Sequence, residues 1–427
     1  MSKPLYIISC PYDTYSGYGA RARDYVKAVI ETDKYEVKLM SQRWGETAWG
    51  FCKEHSDWEF LYQYQLPENK ITQKPEVWTQ ITIPNEFQPV GKYNIGVTAG
   101  IESTQCAADW IEGMNRMDMN FVSSEHSKKV FQETAYEQQD KNTKQVVKTI
   151  KLEKPIEVLF EGYDTTIYKP VSAKESSLDL SEIKEQFCYL FVGHWMQGAL
   201  GHDRKNVGLL IKSFFEVFKN KRVKPALILK TSVGTSSYMS REEILKRIKS
   251  IKKSVNSSDL PNIYLLNGEL SDKKMNELYN HPKVKAMVSL TKGEGFGRPL
   301  LEFTATGKPI IATGWSGHID FLKPDMSFLI GGKLENVHQS AANKWLIPES
   351  KWFAPDHGII GQILKEMYKN YKNFVVKGKQ QRKYCLDNYT FNNMVDLLAT
   401  YLDKYIPDFP KQVELKLPEL PKLEKIG

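Results

Sequence analysis

The sequence predicts an α/β protein of two halves, each built on a parallel sheet, and three observations carry that prediction. Short apolar runs alternate with amphipathic stretches along the chain, the pattern of strands joined by helical crossovers. Glycine-containing turns lie between strand and helix in both halves, at Gly17 and Gly19 and again at Gly295 and Gly297. A length of 427 residues is enough for two separate cores. A stretch of low hydrophobicity at 172–185 reads as the linker, so the halves are expected at 1–170 and 186–390.

Composition narrows the functional classes. Apolar residues make up 41% and charged residues 26%, which is ordinary for a globular chain. No apolar run approaches the roughly 18 residues of a membrane span, so no integral membrane association is expected. The first residues pass straight into a strand without the apolar region of a signal peptide. Five scattered cysteines, Cys10, Cys52, Cys106, Cys188 and Cys385, include no CxxC pair and fit reduced thiols in a cytoplasmic compartment, the host cytoplasm if the protein is viral. No HExxH or Asp-x-Asp occurs, so no built-in metal site is expected. The net charge of +8 suits an anionic partner such as a nucleotide diphosphate, a nucleic acid or an anionic membrane, and equally a lysine-rich surface.

In the first half, 5–9 reads as a strand, and a helix begins near Ala20 with Tyr25, Val26, Val29 and Ile30 facing inward. Gly17 and Gly19 suit backbone approach to a phosphate or sugar. Arg21 and Arg23 read as helix-surface residues. A second strand covers 35–40. The aromatic-rich region 44–89 serves either as a stacking platform for an acceptor or as core and loop anchors. The strand at 93–98 leads to Glu102, which either accepts from a ligand hydroxyl or caps the following helix, whose inner face holds Trp110, Ile111 and Met114. A strand at 120–122, a solvated lysine-rich stretch with an edge strand at 141–154, and a strand at 156–160 complete this half.

The second half opens with a strand at 187–192. Arg204 and Lys205 then precede an amphipathic helix with Leu209, Leu210, Phe214, Phe215 and Phe218 inward. Two cations at a helix start oppose its dipole unless an anion lies nearby. They can neutralise a pyrophosphate and stabilise it as a leaving group. Lys230, at the end of the next strand, is placed to add a third contact. A basic helix at 240–253, a strand at 263–266 and a helix at 272–279 follow.

A strand at 286–290 enters a glycine-rich turn, then a short helix from Arg298 and Pro299 to near Gly307, then a strand at 309–312. Gly295 and Gly297 allow close backbone approach to a ligand. Glu294 and Glu302 frame this turn with seven residues between them. Two carboxylates repel a bare phosphate but accept hydrogen bonds from ribose and hexose hydroxyls, which favours a nucleotide sugar. The plain alternative is a capping acid and a solvated helix glutamate. A strand at 328–332 and helices at 359–371 and 391–405 finish the chain, 333–358 receives no role, and the tail from 411 is expected along the surface.

Glu294-Gly-Phe-Gly-Arg-Pro-Leu-Leu-Glu302, followed by Ala305-Thr-Gly-Lys-Pro-Ile-Ile-Ala312, resembles the E-x7-E signature of retaining glycosyltransferases of family 4. The resemblance implies the GT-B fold, two Rossmann-like domains with parallel sheets facing across a cleft. The first would take the acceptor and the second a nucleotide-diphosphate sugar, a UDP-sugar by default, with 391–427 crossing back to the first. It implies metal-independent transfer of a hexosyl or pentosyl group with retention and without a prosthetic group. Glu294 would orient the sugar hydroxyls and Glu302 the ribose. Arg204, Lys205 and the segment Gly295, Phe296 and Gly297 would hold the pyrophosphate, faced across the cleft by Gly17 and Gly19. Family members carry a histidine near the end of a first-domain strand. Here Gly100-Ile-Glu102 stands there, which makes Glu102 the candidate and leaves open a binding protein that has lost turnover. The acceptor is a glycan or small molecule, or hydroxymethylated bases in DNA modified by a viral-type enzyme.

Overall fold

The computed structural model describes residues 3–409 except 141, 144, 173 and 235. The expectation for the tail from 411 lies outside them. The first domain runs through β1 (Leu5–Cys10), α1 (Gly17–Glu31), β2 (Glu36–Ser41), the single turn α2 (Phe51–Glu54), β3 (Val77–Ile81) and β4 (Tyr93–Val97). It continues with α3 (Ala108–Asn115), β5 (Met119–Val122), α4 (Glu125–Glu133), β6 (Ala135–Gln139), β7 (Val146–Lys151) and β8 (Ile156–Val158). Six of these strands form a parallel sheet in the order β2-β1-β3-β4-β5-β8. β6 and β7 pair antiparallel as a largely exposed ribbon, which is where the lysine-rich stretch lies.

The second domain comprises β9 (Cys188–Val192), α5 (Val207–Phe218), β10 (Ala226–Lys230), α6 (Tyr238–Lys253), β11 (Ile263–Leu266), α7 (Asp272–Asn280) and β12 (Val284–Ser289). α8 (Arg298–Thr304), β13 (Ile310–Thr313), β14 (Phe328–Ile330), β15 (Gly332–Asn336), β16 (Lys351–Pro355), α9 (His357–Lys369), α10 (Tyr371–Asn388) and α11 (Phe391–Tyr405) follow. Its sheet is also six-stranded and parallel, in the order β11-β10-β9-β12-β13-β14. The chain runs outward from β9 to β11, then returns and runs the other way from β12 to β14. The crevice at the carboxyl ends of β9 and β12 is therefore the switch point at which open α/β sheets take ligands.

Two elements tie the domains together. α11 packs on α1, with Phe391, Met394, Leu398 and Leu402 in one apolar cluster with Tyr25, Val26 and Val29. It is held at its start by a capping box between Thr390 and Asn393. The antiparallel pair β15–β16 buries Trp352 and reaches the first domain, where Thr104 donates its backbone N–H to the Lys351 carbonyl at 2.8 Å and accepts the Lys351 N–H at 2.9 Å.

Arg21 and Arg23 are not surface residues: both are buried in α1. Their guanidinium groups satisfy loop carbonyls, Arg21 those of Leu159 and Phe160, Arg23 those of Tyr12 and Thr14 at 2.7 and 2.9 Å, with Arg23 also 3.5 Å above the Phe51 ring. A buried cation is tolerated where its donors meet carbonyls in this way, although Arg21 Nε is left without a partner. The aromatic region 44–89 divides between the two readings: Trp78 and Phe87 are core, whereas Trp49 and Phe60 are exposed. No helix among the described residues is long and apolar enough to cross a membrane.

Leu398 is fully buried between α11 and α1. Leu398→Ala is expected to lower unfolding free energy by about 2–5 kcal/mol, measured by urea denaturation. A loss below about 1 kcal/mol would show that α11 adds little to the first-domain core.

Candidate active site at the domain boundary

The loop after β12 is rigid because its backbone is bonded on three sides. Lys292 N–H donates to the Arg204 carbonyl at 2.7 Å, Glu294 N–H to Ser316 Oγ at 2.9 Å, and Gly317 N–H to the Glu294 carbonyl at 3.0 Å. The loop ends at Gly297, whose φ of +100° an L side chain rarely adopts, and α8 then starts with Arg298 and Pro299. By contrast, the N–H groups of Gly295, Phe296 and Gly297 have no hydrogen-bond partner among the described residues. The Phe296 ring itself lies in the core against Phe321, so this residue offers its backbone alone.

Glu294 is buried beside the start of α5. Lys205 Nζ donates to its two oxygens at 2.5 and 2.6 Å, and Arg204 Nη1 lies 3.5 Å from Oε2. Burial raises a carboxyl pKa, but Lys205 and Arg204 outweigh it and hold Glu294 at about 2. Arg204 also faces Glu102 of the first domain at 3.5 Å and donates to the Gly293 carbonyl at 2.9 Å. The four side chains Glu102, Arg204, Lys205 and Glu294 thus form one cluster spanning the two domains. Lys230 is half-buried at the end of β10; its carbonyl accepts from the Gly193 N–H at 3.1 Å, and its ammonium has no hydrogen-bond partner among the described residues.

Glycines let the domains meet here. A Cβ on Gly293 would lie 1.9 Å from the Glu102 carbonyl oxygen, and one on Gly295 2.4 Å from that of Ala99. In the structure, then, Gly295 is demanded by the opposite domain's backbone. In the β1–α1 loop, Gly19 is required by its own turn, since a Cβ would press on the Thr14 carbonyl at 2.4 Å, whereas one on Gly17 would meet open space.

Glu302 is buried one turn into α8, accepting from Arg298 Nε at 2.8 Å and from the Tyr279 hydroxyl at 3.2 Å. Burial drives its carboxyl up to about 7, with Arg298 pulling down and Asp272 adding to the rise. Neither acid of the E-x7-E pair faces bulk water. The sequence reading gives Arg298 only the helix start, although its i, i+4 spacing to Glu302 signals the pair. It also passes over two residues that shape the loop: Ser316, held at a φ of +77°, and His318, fully buried with Nε2 2.6 Å from the Thr313 carbonyl.

These two acids give opposite pH signatures. Glu294 has a folded pKa below its unfolded one, so its stabilisation is full above about pH 4.5 and is lost as pH falls toward 2. The lead in melting temperature of the wild type over Glu294→Gln is therefore expected to shrink across that window. Glu302 is raised, so ionising it opposes folding, and Glu302→Gln is expected to gain on the wild type from about pH 4.5 to 7. Melting curves that stay parallel over both windows would contradict the two assignments.

Residues 196–346 match the family model described as glycosyl transferases group 1. No curated protein sequence matches the chain. Solved structures share the whole two-domain arrangement. A glycosyltransferase from Rickettsia africae ESF-5 superposes with a TM-score of 0.60 at 13% identity, over 94% of this chain and 99% of that one. Sucrose-phosphate synthase from Thermosynechococcus elongatus gives 0.61 at 12% identity, over 94% and 98%. HepE from Anabaena, solved in complex with UDP-glucose, gives 0.61 at 12% identity, over 94% and 100%. The chain therefore has the GT-B fold of two Rossmann-like domains, and 196–346 within it carries the match to glycosyl transferases group 1.

Proposed function

We propose that the protein is a retaining glycosyltransferase of the E-x7-E, family 4 kind, moving a sugar from a nucleotide-diphosphate donor to a hydroxyl acceptor. The carrying observation is the buried Glu294–Lys205–Arg204 cluster beside three consecutive unbonded N–H groups at the switch point of the second sheet. Cations and free amides converging on one spot suit a diphosphate, and a carboxylate among them suits a sugar hydroxyl. The bound UDP-glucose of the Anabaena relative supports a UDP-sugar as donor.

The roles follow from the contacts. Lys205 and Arg204 stabilise the charge that grows on the leaving phosphate as the sugar–oxygen bond breaks, supplying it from protein cations. Arg204 meets Glu102 and Glu294 each at 3.5 Å, and Glu102 is the more exposed of the two, so the donor diphosphate displaces the Glu102 contact. Glu294 stays ionised at any physiological pH and accepts from hydroxyls of the transferred sugar. Glu302 accepts from the ribose. Retention follows if the acceptor attacks from the side the phosphate leaves, the phosphate oxygen taking the acceptor's proton.

The test is turnover of a panel of nucleotide sugars, read as transfer or as slow hydrolysis without acceptor. Lys205→Ala and Glu294→Gln are each expected to lower kcat/KM at least about a hundredfold, the size of losing one charge-stabilising contact. Wild-type rates in both variants would remove the site assignment. A wild type that binds UDP-sugars and never turns them over would establish the binding protein instead.

A further inference from the structure

The donor-site machinery accounts for Glu302 but leaves unexplained the group that holds it. Arg298 donates through Nε to Glu302 Oε1 at 2.8 Å, and through Nη1 to Asp24 Oδ2. Glu302 is on its own helix, α8; Asp24 is on α1, in the other domain. All three groups are shielded: Asp24 and Glu302 are each 6% exposed, and the Arg298 side chain 20%. Asp24 has no other ion pair or side-chain hydrogen bond among the described residues. Asp24 lies in the field of the buried Arg21 and Arg23 of its own helix, but the one group it bonds directly sits on the opposite domain. That bond exists only when the domains are together.

We infer that Arg298 is a positioning residue that couples the acid assigned to the ribose, Glu302, to closure of the interdomain cleft through Asp24. The inference rests on the proposed reading for the ribose contact and on geometry alone for the closure. A guanidinium can fill two carboxylates at once because its donors diverge in a fixed plane. With the domains apart, Arg298 keeps Glu302 as its one partner and Asp24 is solvated on α1. With the domains together, the second arm of the fork is pinned, and the planar group holds the Glu302 carboxylate in one orientation. The backbones of Gly293 and Gly295 meet the first domain in the structure, so opening the cleft parts this seam together with the Asp24–Arg298 contact. The Asp24–Arg298 contact then re-forms after binding, and only then is Glu302 fixed. Arginine serves the two carboxylates from separate nitrogens of a rigid plane, whereas a lysine has one nitrogen on a flexible stem for both.

Asp24→Asn tests the coupling with little change in shape. Small-angle X-ray scattering of the ligand-free protein is expected to show a larger radius of gyration for Asp24→Asn and Arg298→Met than for the wild type. Binding of UDP, followed by calorimetry, is expected to weaken about tenfold in Asp24→Asn, because the closed form that retains the ligand is less populated. Asp24→Glu, which keeps the charge, restores both readouts. Arg298→Lys raises KM for the nucleotide sugar more than it lowers kcat. Scattering curves of Asp24→Asn and Arg298→Met that overlay the wild type would overturn the coupling. A wild type that binds neither UDP nor any nucleotide sugar would overturn the proposed function instead, and the scattering comparison would still decide the closure.

Discussion

A carboxylate withdrawn from water keeps its charge only with cations against it, and most of what positions this site follows from that requirement at Glu294. Lys205 and Arg204 reach it from the segment after β9, whereas Glu294 hangs from the loop after β12. The ion cluster thus joins the two sides of the sheet's switch point. Neither side can shift alone, since removing one partner of a buried pair typically costs about 3–5 kcal/mol. The loop's own hydrogen bonds, to Arg204, Ser316 and Gly317, follow the same line and leave the N–H groups of Gly295, Phe296 and Gly297 without a partner among the described residues. Rigidity and unmet hydrogen-bonding capacity at one spot are what an anion site needs.

The second domain's glycines serve contact between domains as much as contact with a ligand. Gly293 and Gly295 bring two main chains together where a Cβ would separate them. Glu102 lies across this seam, facing Arg204. The charged cluster is therefore completed by the neighbouring domain.

The fold was legible wherever strands were continuous apolar runs. Residues 187–192 and 226–229, for example, read as strands because Cys188–Val192 and Ala226–Lys230 are core-facing on both sides of a covered sheet. β3 was missed although it lies in the middle of the first sheet. Its sequence, Val-Trp-Thr-Gln-Ile, carries two polar side chains, both buried, within a region whose aromatics drew attention to ligand stacking. α10 was missed because its amphipathic signal is diluted by lysines and polar residues around a few anchors such as Phe374 and Cys385. In the candidate site, Glu294, the Arg204–Lys205 pair and the glycines at 293–297 stood out in the sequence by type and spacing. Arg21, Arg23 and Asp24 were not, because their partners are carbonyls and side chains more than a hundred residues away or set by loop geometry.

The docking of α11 on α1 has a consequence for the order in which the molecule is made. Apart from α11, every strand and helix of the second domain, β9 through α10, has been synthesised by residue 388, and its core can close once that stretch emerges. The first domain's sheet emerges much earlier, yet Phe391, Met394, Leu398 and Leu402 are among the last segments delivered to its apolar layer. The half synthesised first is thus the half finished last, and until α11 arrives the apolar face of α1 stands open to chaperones or to another nascent chain.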